Sequence, residues 1–211
     1  MAQNKWIDIT QPLYNGMPHW PGDTPFEFGL SAAKEENGVV NIGKLTTTTH
    51  IGTHVDAPYH FDDEGKRIGD LELDLYIGRS ILLDVRGNKS VGRDELKQHD
   101  FQGAERVLLK MTGEGAPDRF PETVPYLRPD IGPFLKERGV KLIGIDVPSV
   151  DKLDSKTLDA HHSLHQNGVM ILENIVLRDV DEGEYQLIAL PLRILEADGS
   201  PVRAVIRKIG E

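Results

Sequence analysis

Apolar and polar positions alternate in short bursts along this chain of 211 residues. Residues 6–9, 43–49, 80–85, 106–111, 141–147, 170–176, 185–190 and 202–207 are rich in Ile, Val, Leu and Thr and are bounded by Gly, Pro and Asp, which is the pattern of β-strands. Two segments, Leu82-Leu83-Asp84-Val85 and Leu142-Ile143-Gly144-Ile145-Asp146-Val147, are almost wholly apolar, as strands covered on both faces are. Helical stretches are fewer. Residues 92–99 follow Ser90 and Val91, residues 129–138 stop at Gly139, and residues 155–167 run from a candidate N-cap, Ser155, to Gly168. The pattern predicts a strand-rich α/β domain without a regular βαβ alternation. No repeat, low-complexity run or linker divides the chain, so residues 1–211 are expected to form one domain.

Composition narrows the function. At 38% hydrophobic residues the chain can bury a sizeable core. It has no cysteine, which excludes disulfides, thiolate metal ligands and a cysteine nucleophile and suits a reducing cytoplasm, the expected location. Residues 1–9 carry no apolar run of signal-peptide length, and no segment approaches a membrane span. A net charge of -10 speaks against a nucleic-acid partner, for which a basic patch is expected, and is ordinary for a soluble surface. There is no GxSxG elbow for a serine hydrolase, and no GxGxxG or GxxxxGK[ST] loop for nucleotides.

The chemistry concentrates in His50-Ile51-Gly52-Thr53-His54-Val55-Asp56-Ala57-Pro58-Tyr59-His60-Phe61. Imidazole and carboxylate are the donors that first-row divalent metals take when thiolate is missing. Core packing does not explain so many polar groups in one segment, because each needs a partner if buried. His50 and His54 have helical spacing, but the β-favouring Thr46 to Thr49, Gly52 and Pro58 disfavour a helix, so a strand running into an irregular loop is expected. A second cluster comprises His161, His162 and Glu173. Glu173 lies in an apolar strand and, if buried, must be paired, protonated or metal-bound; if alternation turns it to solvent, it needs no partner. Local sequence does not choose between His161 and His162. His165, His99 and His19 read as surface residues or neighbours of the ligands. Trp20, in the Pro-rich segment 17–25, fits a structural role by local pattern, with an aromatic wall for a flat substrate as the alternative.

Residues 49–61 resemble the signature of the metal-dependent cyclase-like hydrolases. Further matches are Trp6-Ile7-Asp8-Ile9, Trp20-Pro21-Gly22-Asp23-Thr24-Pro25, Ile145-Asp146-Val147-Pro148-Ser149-Val150-Asp151, His161-His162, Leu172-Glu173-Asn174, Leu190-Pro191-Leu192 and Asp198-Gly199-Ser200-Pro201-Val202-Arg203-Ala204. These flanking matches are similar to the kynurenine formamidase branch of that family. The resemblance implies a swivelling β/β/α domain, a homodimer or higher homo-oligomer, and two divalent ions, usually zinc, with manganese or cobalt compatible with the same donors. It implies that His50 and His54 bind the first ion, Asp56 and Glu173 bridge both, and His161 binds the second. His60 would then be the general acid/base and Trp20 a substrate contact, reversing the local preference for Trp20. The implied reaction is hydrolysis of N-formyl-L-kynurenine in tryptophan degradation. A lactam hydrolase acting on isatin and a non-catalytic metal-binding protein are the alternatives; the second leaves His60 without a purpose.

Overall fold

Leu82, Leu108, Leu142 and Leu172 point to one side of a sheet, and their neighbours Ile81, Leu83, Val107, Leu109, Ile143 and Ile171 point to the other, the period-two alternation of strands. The computed structural model describes residues 5–209; residues 1–4, part of the N-terminal stretch read for targeting, and residues 210–211 lie outside the described residues. The strands are β1 (Ile7–Asp8), β2 (Glu27–Ala32), β3 (Ile42–Thr46), β4 (His54–Asp56), β5 (Ile77–Asp84), β6 (Ser90–Val91), β7 (Arg106–Lys110), β8 (Tyr126–Leu127), β9 (Leu142–Ile145), β10 (Met170–Glu173), β11 (Gly183–Ile188), β12 (Gly199–Pro201) and β13 (Val205–Lys208). The helices are α1 (Lys34–Asn37), α2 (Arg93–Leu96), α3 (Ile131–Glu137) and α4 (Asp159–Gln166). Nine strands form one mixed sheet in the order β1-β13-β11-β5-β7-β9-β10-β4-β12.

The four central strands, β5, β7, β9 and β10, are mutually parallel, and antiparallel strands extend the sheet on both sides. One face is covered by the helices: Leu96, Ile131, Phe134, Leu135, Ala160 and Leu164 pack on Ile81, Leu83, Val107, Leu109, Ile143 and Ile171. On the other face the sheet curls over itself, so that Ile9, Leu187, Ala204 and Ile206 from one flank join Leu82, Leu108, Leu142 and Leu172. This is the strand-rich α/β fold expected from the pattern. In the middle of the chain helices lie between the parallel strands, but the short strands β6 and β8 interrupt the succession, which runs β5-β6-α2-β7-β8-α3-β9-α4-β10, so the alternation is not regular, as expected. The helices expected over 92–99 and 129–138 shorten to the 4 residues of α2 and the 7 of α3.

Other differences have local causes. The strand expected over 170–176 stops at Glu173, because Asn174 adopts the left-handed conformation with φ 57, which Asn tolerates better than most residues. Ser155 does not cap α4. Its hydroxyl accepts the Leu158 N–H in the preceding turn, and the first-turn amides of Ala160 and His161 donate instead to the Asp151 carboxylate. The segment expected as strand 43–49 forms β3, which pairs only with β2 in a separate two-stranded sheet.

Candidate active site

Strand register builds the centre of the site. Glu173 lies directly opposite His54 in the antiparallel β10–β4 pair, and Leu172 lies opposite Val55. Leu172 and Val55 point into the curled face, so Glu173, His54 and Asp56 all point to the face that carries the helices. There α4 presents His161. His54, Asp56, His161 and Glu173 are each no more than 3% exposed, which answers the question left open for Glu173. The ligand segment differs in one respect from its expectation: residues 47–53 are irregular, but His54 and Asp56 belong to a strand held between β10 and β12. Pro58 then opens a 3-10 turn that carries His60.

The imidazoles are aimed by the atoms behind them. His54 Nδ1 donates to the Gly52 carbonyl at 2.8 Å, leaving Nε2 3.5 Å from Asp56 Oδ1 and 3.5 Å from Glu173 Oε2. His161 Nδ1 meets Asp151 Oδ2 at 2.7 Å, leaving Nε2 3.6 Å from Asp56 Oδ2 and 3.8 Å from Glu173 Oε1. Backing of this kind fixes the tautomer of a ligating histidine. His162, its neighbour, is turned away and packs edge-on against Phe61, with centroids 5.7 Å apart. Gly52 has φ 56, a left-handed conformation that favours glycine, and a Cβ there would displace the flexible end of the Leu13 side chain, 2.6 Å away.

His50 closes the group from the loop. Its Nδ1 lies 3.0 Å from Asp56 Oδ1 and its Nε2 3.1 Å from Asp198 Oδ2. Gly199 makes room for it, since a Cβ at that position would approach His50 Cε1 to 2.9 Å. His60 stacks on His50 with ring centroids 3.9 Å apart, and its Nδ1 lies 3.6 Å from Asp198 Oδ2. Its side chain is 33% exposed, at the open side of the group. Asp198 is itself held by the Thr49 hydroxyl at 2.7 Å. Sequence reading assigned no role to Asp151 or Asp198. Neither lies in a motif of clustered donors, and both reach the site only through the fold.

Electrostatics follow from four carboxylates gathered around these imidazoles. Burial alone disfavours an imidazolium at His50, yet the Asp198 and Asp56 carboxylates on its two nitrogens push its pKa up to about 10. Burial likewise opposes charge on His161, but Asp151 and Asp56 push it up to about 10. Burial would raise Asp56; the His161 and His50 imidazoles facing it hold it well below the usual carboxylate range. His60 differs: desolvation lowers its pKa, so its imidazole is neutral near pH 7. Asp56 Oδ2 is buried with no hydrogen-bond partner. Such an orphaned oxygen ordinarily costs about 1–3 kcal/mol, more when charged, and the imidazole and carboxylate donors around it could hold a metal ion.

Among the described residues the donors fall into three groups: two share Asp56, and a third, at the open side, brings His50 together with His60 and Asp198. One ligand atom from each of His50, His54 and Asp56 lies within 4.8 Å of the others, and the same holds for Asp56, His161 and Glu173. His50, His54, His161 and Glu173 floor a cleft of about 240 Å³ whose walls include Trp20, Phe120, Pro121, Pro148 and Leu158. Trp20 stands edge-on to Phe120 with centroids 5.2 Å apart, at the cleft wall and outside the core. His19, expected to be peripheral, also lines this cleft. Leu158 is held in the left-handed conformation with φ 47, a backbone strain of the kind found at functional sites.

A family model described as a putative cyclase matches residues 7–152. The chain belongs to the putative cyclase family. Among curated relatives, a protein named kynurenine formamidase from Bacillus thuringiensis (strain Al Hakam) is 54% identical over 209 residues, covering 99% of this chain and 100% of the relative. A kynurenine formamidase from Bacillus anthracis is 53% identical with the same coverage. A solved structure described as a potential metal-dependent hydrolase with cyclase activity superposes with a TM-score of 0.84 at 26% identity, covering 98% of this chain and 99% of that one. An isatin hydrolase bound to thioisatinate shares this cyclase fold, with a TM-score of 0.82 at 19% identity and coverage of 98% and 93%.

Proposed function

We propose that this chain is a kynurenine formamidase that hydrolyses N-formyl-L-kynurenine to L-kynurenine and formate in tryptophan degradation, using two divalent metal ions. The observation that carries the metal reading is the buried Asp56 carboxylate, whose Oδ1 faces His50 and His54 while its Oδ2, without a hydrogen-bond partner, lies 3.6 Å from His161 Nε2. His50, His54 and Asp56 would hold one ion, and His161, Asp56 and Glu173 the other. Glu173 also reaches His54, which suits a bridging carboxylate. All donors are nitrogen or oxygen, a set that suits zinc first and manganese or cobalt as alternatives. When bound, such a pair of ions supplies a strong nucleophile from water at neutral pH and stabilises charge developing on the formyl oxygen.

The chain's own groups do the rest. The substrate is an anilide, so the departing aryl nitrogen needs a proton. His60, neutral near pH 7 and at the open side of the group, takes a proton from the attacking water and passes it to that nitrogen. Trp20 and Phe120 form an aromatic corner for the substrate's aryl ring. A cleft of about 240 Å³ has the scale of one small metabolite, not of a peptide. A cytoplasmic enzyme suits this reaction, and no helix among the described residues is long and apolar enough to cross a membrane. The test is turnover of N-formylkynurenine beside isatin, with and without a chelator. Formamide hydrolysis that is lost on chelation and restored by added metal is expected; faster turnover of isatin would assign the chain to lactam opening, and undiminished activity in metal-free protein would refute the mechanism.

A further inference from the structure

The cleft is lined by one more carboxylate, Asp23, which lies outside the donor groups. Asp23 closes a four-residue turn that begins at Trp20, and its amide donates to the Trp20 carbonyl at 3.0 Å. Pro21 sets the first corner of this turn and Gly22, with φ 96, the second, which is the type II arrangement. The segment is seated from both sides. Met17 before the turn and Phe26 after it are buried in a small apolar cluster with Ile51, the neighbour of His50. A rigid turn thus presents an indole and a carboxylate to the same cleft, from positions whose Cα atoms lie within about 7 Å of each other.

An Asp in a turn ordinarily bonds backbone amides close by. Asp23 does not: among the described residues its half-buried carboxylate accepts no hydrogen bond and forms no ion pair. The cleft offers it no cation either, since no Lys or Arg among the described residues lines it. A partly desolvated anion facing a ligand cleft is matched by a cationic group on the ligand. On the formamidase reading above, on which this step rests, we infer that Asp23 binds the α-ammonium of the substrate's amino-acid end while Trp20, on the same turn, takes its aryl ring. The two groups of the substrate are joined by a short keto-methylene spacer, a separation that one turn can span. With no cation in the cleft, the α-carboxylate stays in water at the mouth. Isatin has no ammonium, so Asp23 favours the linear amino-acid substrate over the lactam. The Pro-Gly turn holds both contacts in place before binding, which limits the ordering cost.

The test compares N-formyl-L-kynurenine with 2-formamidoacetophenone, which has the same ring, ketone and formamide but no amino acid, on metal-loaded protein. The wild type should prefer N-formyl-L-kynurenine. Asp23→Asn keeps the turn amide and the side-chain shape and removes the charge. It should lower kcat/KM for N-formyl-L-kynurenine about 10–100-fold, the worth of a hydrogen bond to a charged group, chiefly through KM. The value for 2-formamidoacetophenone should change by less than about 2-fold, and Asp23→Glu should recover part of the loss. L-kynurenine, as an inhibitor of 2-formamidoacetophenone cleavage, should weaken by the same factor as KM rises, with metal content and melting temperature unchanged. Equal losses on the two substrates would make Asp23 a structural member of its turn. No loss on either, or a wild type without preference, would leave the ammonium unread. Each of these outcomes overturns the inference and leaves the formamidase reading standing, whereas a wild type that cleaves neither formanilide refutes that reading and the inference with it.

Discussion

Replacing Asp151 separates what the fold needs from what the site needs. Its carboxylate accepts the Ala160 amide at 3.0 Å, the His161 amide at 3.1 Å and His161 Nδ1 at 2.7 Å. Asp151→Ala removes a helix cap, a loss of ~1 kcal/mol, and leaves the buried His161 Nδ1–H unpaired, a further ~1–3 kcal/mol. Since 1 kcal/mol shifts the melting temperature by roughly 2–4 °C at this chain length, the Ala variant should melt roughly 4–16 °C lower. Asp151→Asn tests the tautomer. An amide has one acceptor and one donor group, so it can cap the helix with oxygen while its NH2 meets Nδ1. That arrangement places the His161 proton on Nε2, where a ligand needs a lone pair. The Asn variant should therefore keep more stability than Ala, yet bind metal about 10–100-fold more weakly, the usual cost of losing such a backing group. Differential scanning calorimetry of metal-free protein and chelator competition measure the two effects. Unchanged metal affinity in the Asn variant, or an Ala variant that melts like wild type, would refute the reasoning.

Three further expectations follow from the same geometry. His60→Ala should retain its metal while kcat falls by about 10²–10⁴, the range for one general acid/base, and less for anilides with electron-withdrawing rings; loss of metal would make His60 a ligand instead. Trp20→Ala should raise KM for N-formylkynurenine with little change in melting temperature, because the indole lines the cleft and not the core; a large loss of stability at constant KM would contradict this. In metal-free protein His50 and His161 titrate near 10 when folded, against about 6.5 unfolded, so their contribution is complete below about 6.5 and is lost as pH rises towards 10. Asp151 and Asp198 are lowered, so their contribution is present above about 3.9 and is lost in acid. The chelated protein should thus melt higher at about pH 5.5 than at about pH 9, while metal affinity rises with pH over that window as metal displaces those protons; the opposite order of melting temperatures would show that the imidazoles are not charged.

Much of this fold was legible because apolar runs of five to eight residues can be recognised without context, as in β5 and β7. The strands that complete the site were not. With 3 residues each, β4 and β12 are too short to display a period, and the donor-rich sequence of β4 reads as a loop. Glu173 could be singled out because a carboxylate in an apolar strand demands a partner, but only the register opposite His54 shows which one. The choice of His161 over His162 depends on the rotation of α4, set by Asp151 far from either local pattern. Asp198 reaches His50 from 148 residues away.

The central claim is that one buried carboxylate, Asp56, joins two metal sites. Plasma mass spectrometry on purified, exhaustively dialysed protein, with Asp56→Ala and His161→Ala measured beside wild type, tests it most directly. The account predicts about two divalent ions per wild-type chain, about one in His161→Ala, and nearly none in folded Asp56→Ala. A wild-type chain that hydrolyses N-formylkynurenine with one ion or none, or an Asp56→Ala variant that keeps both, would contradict it.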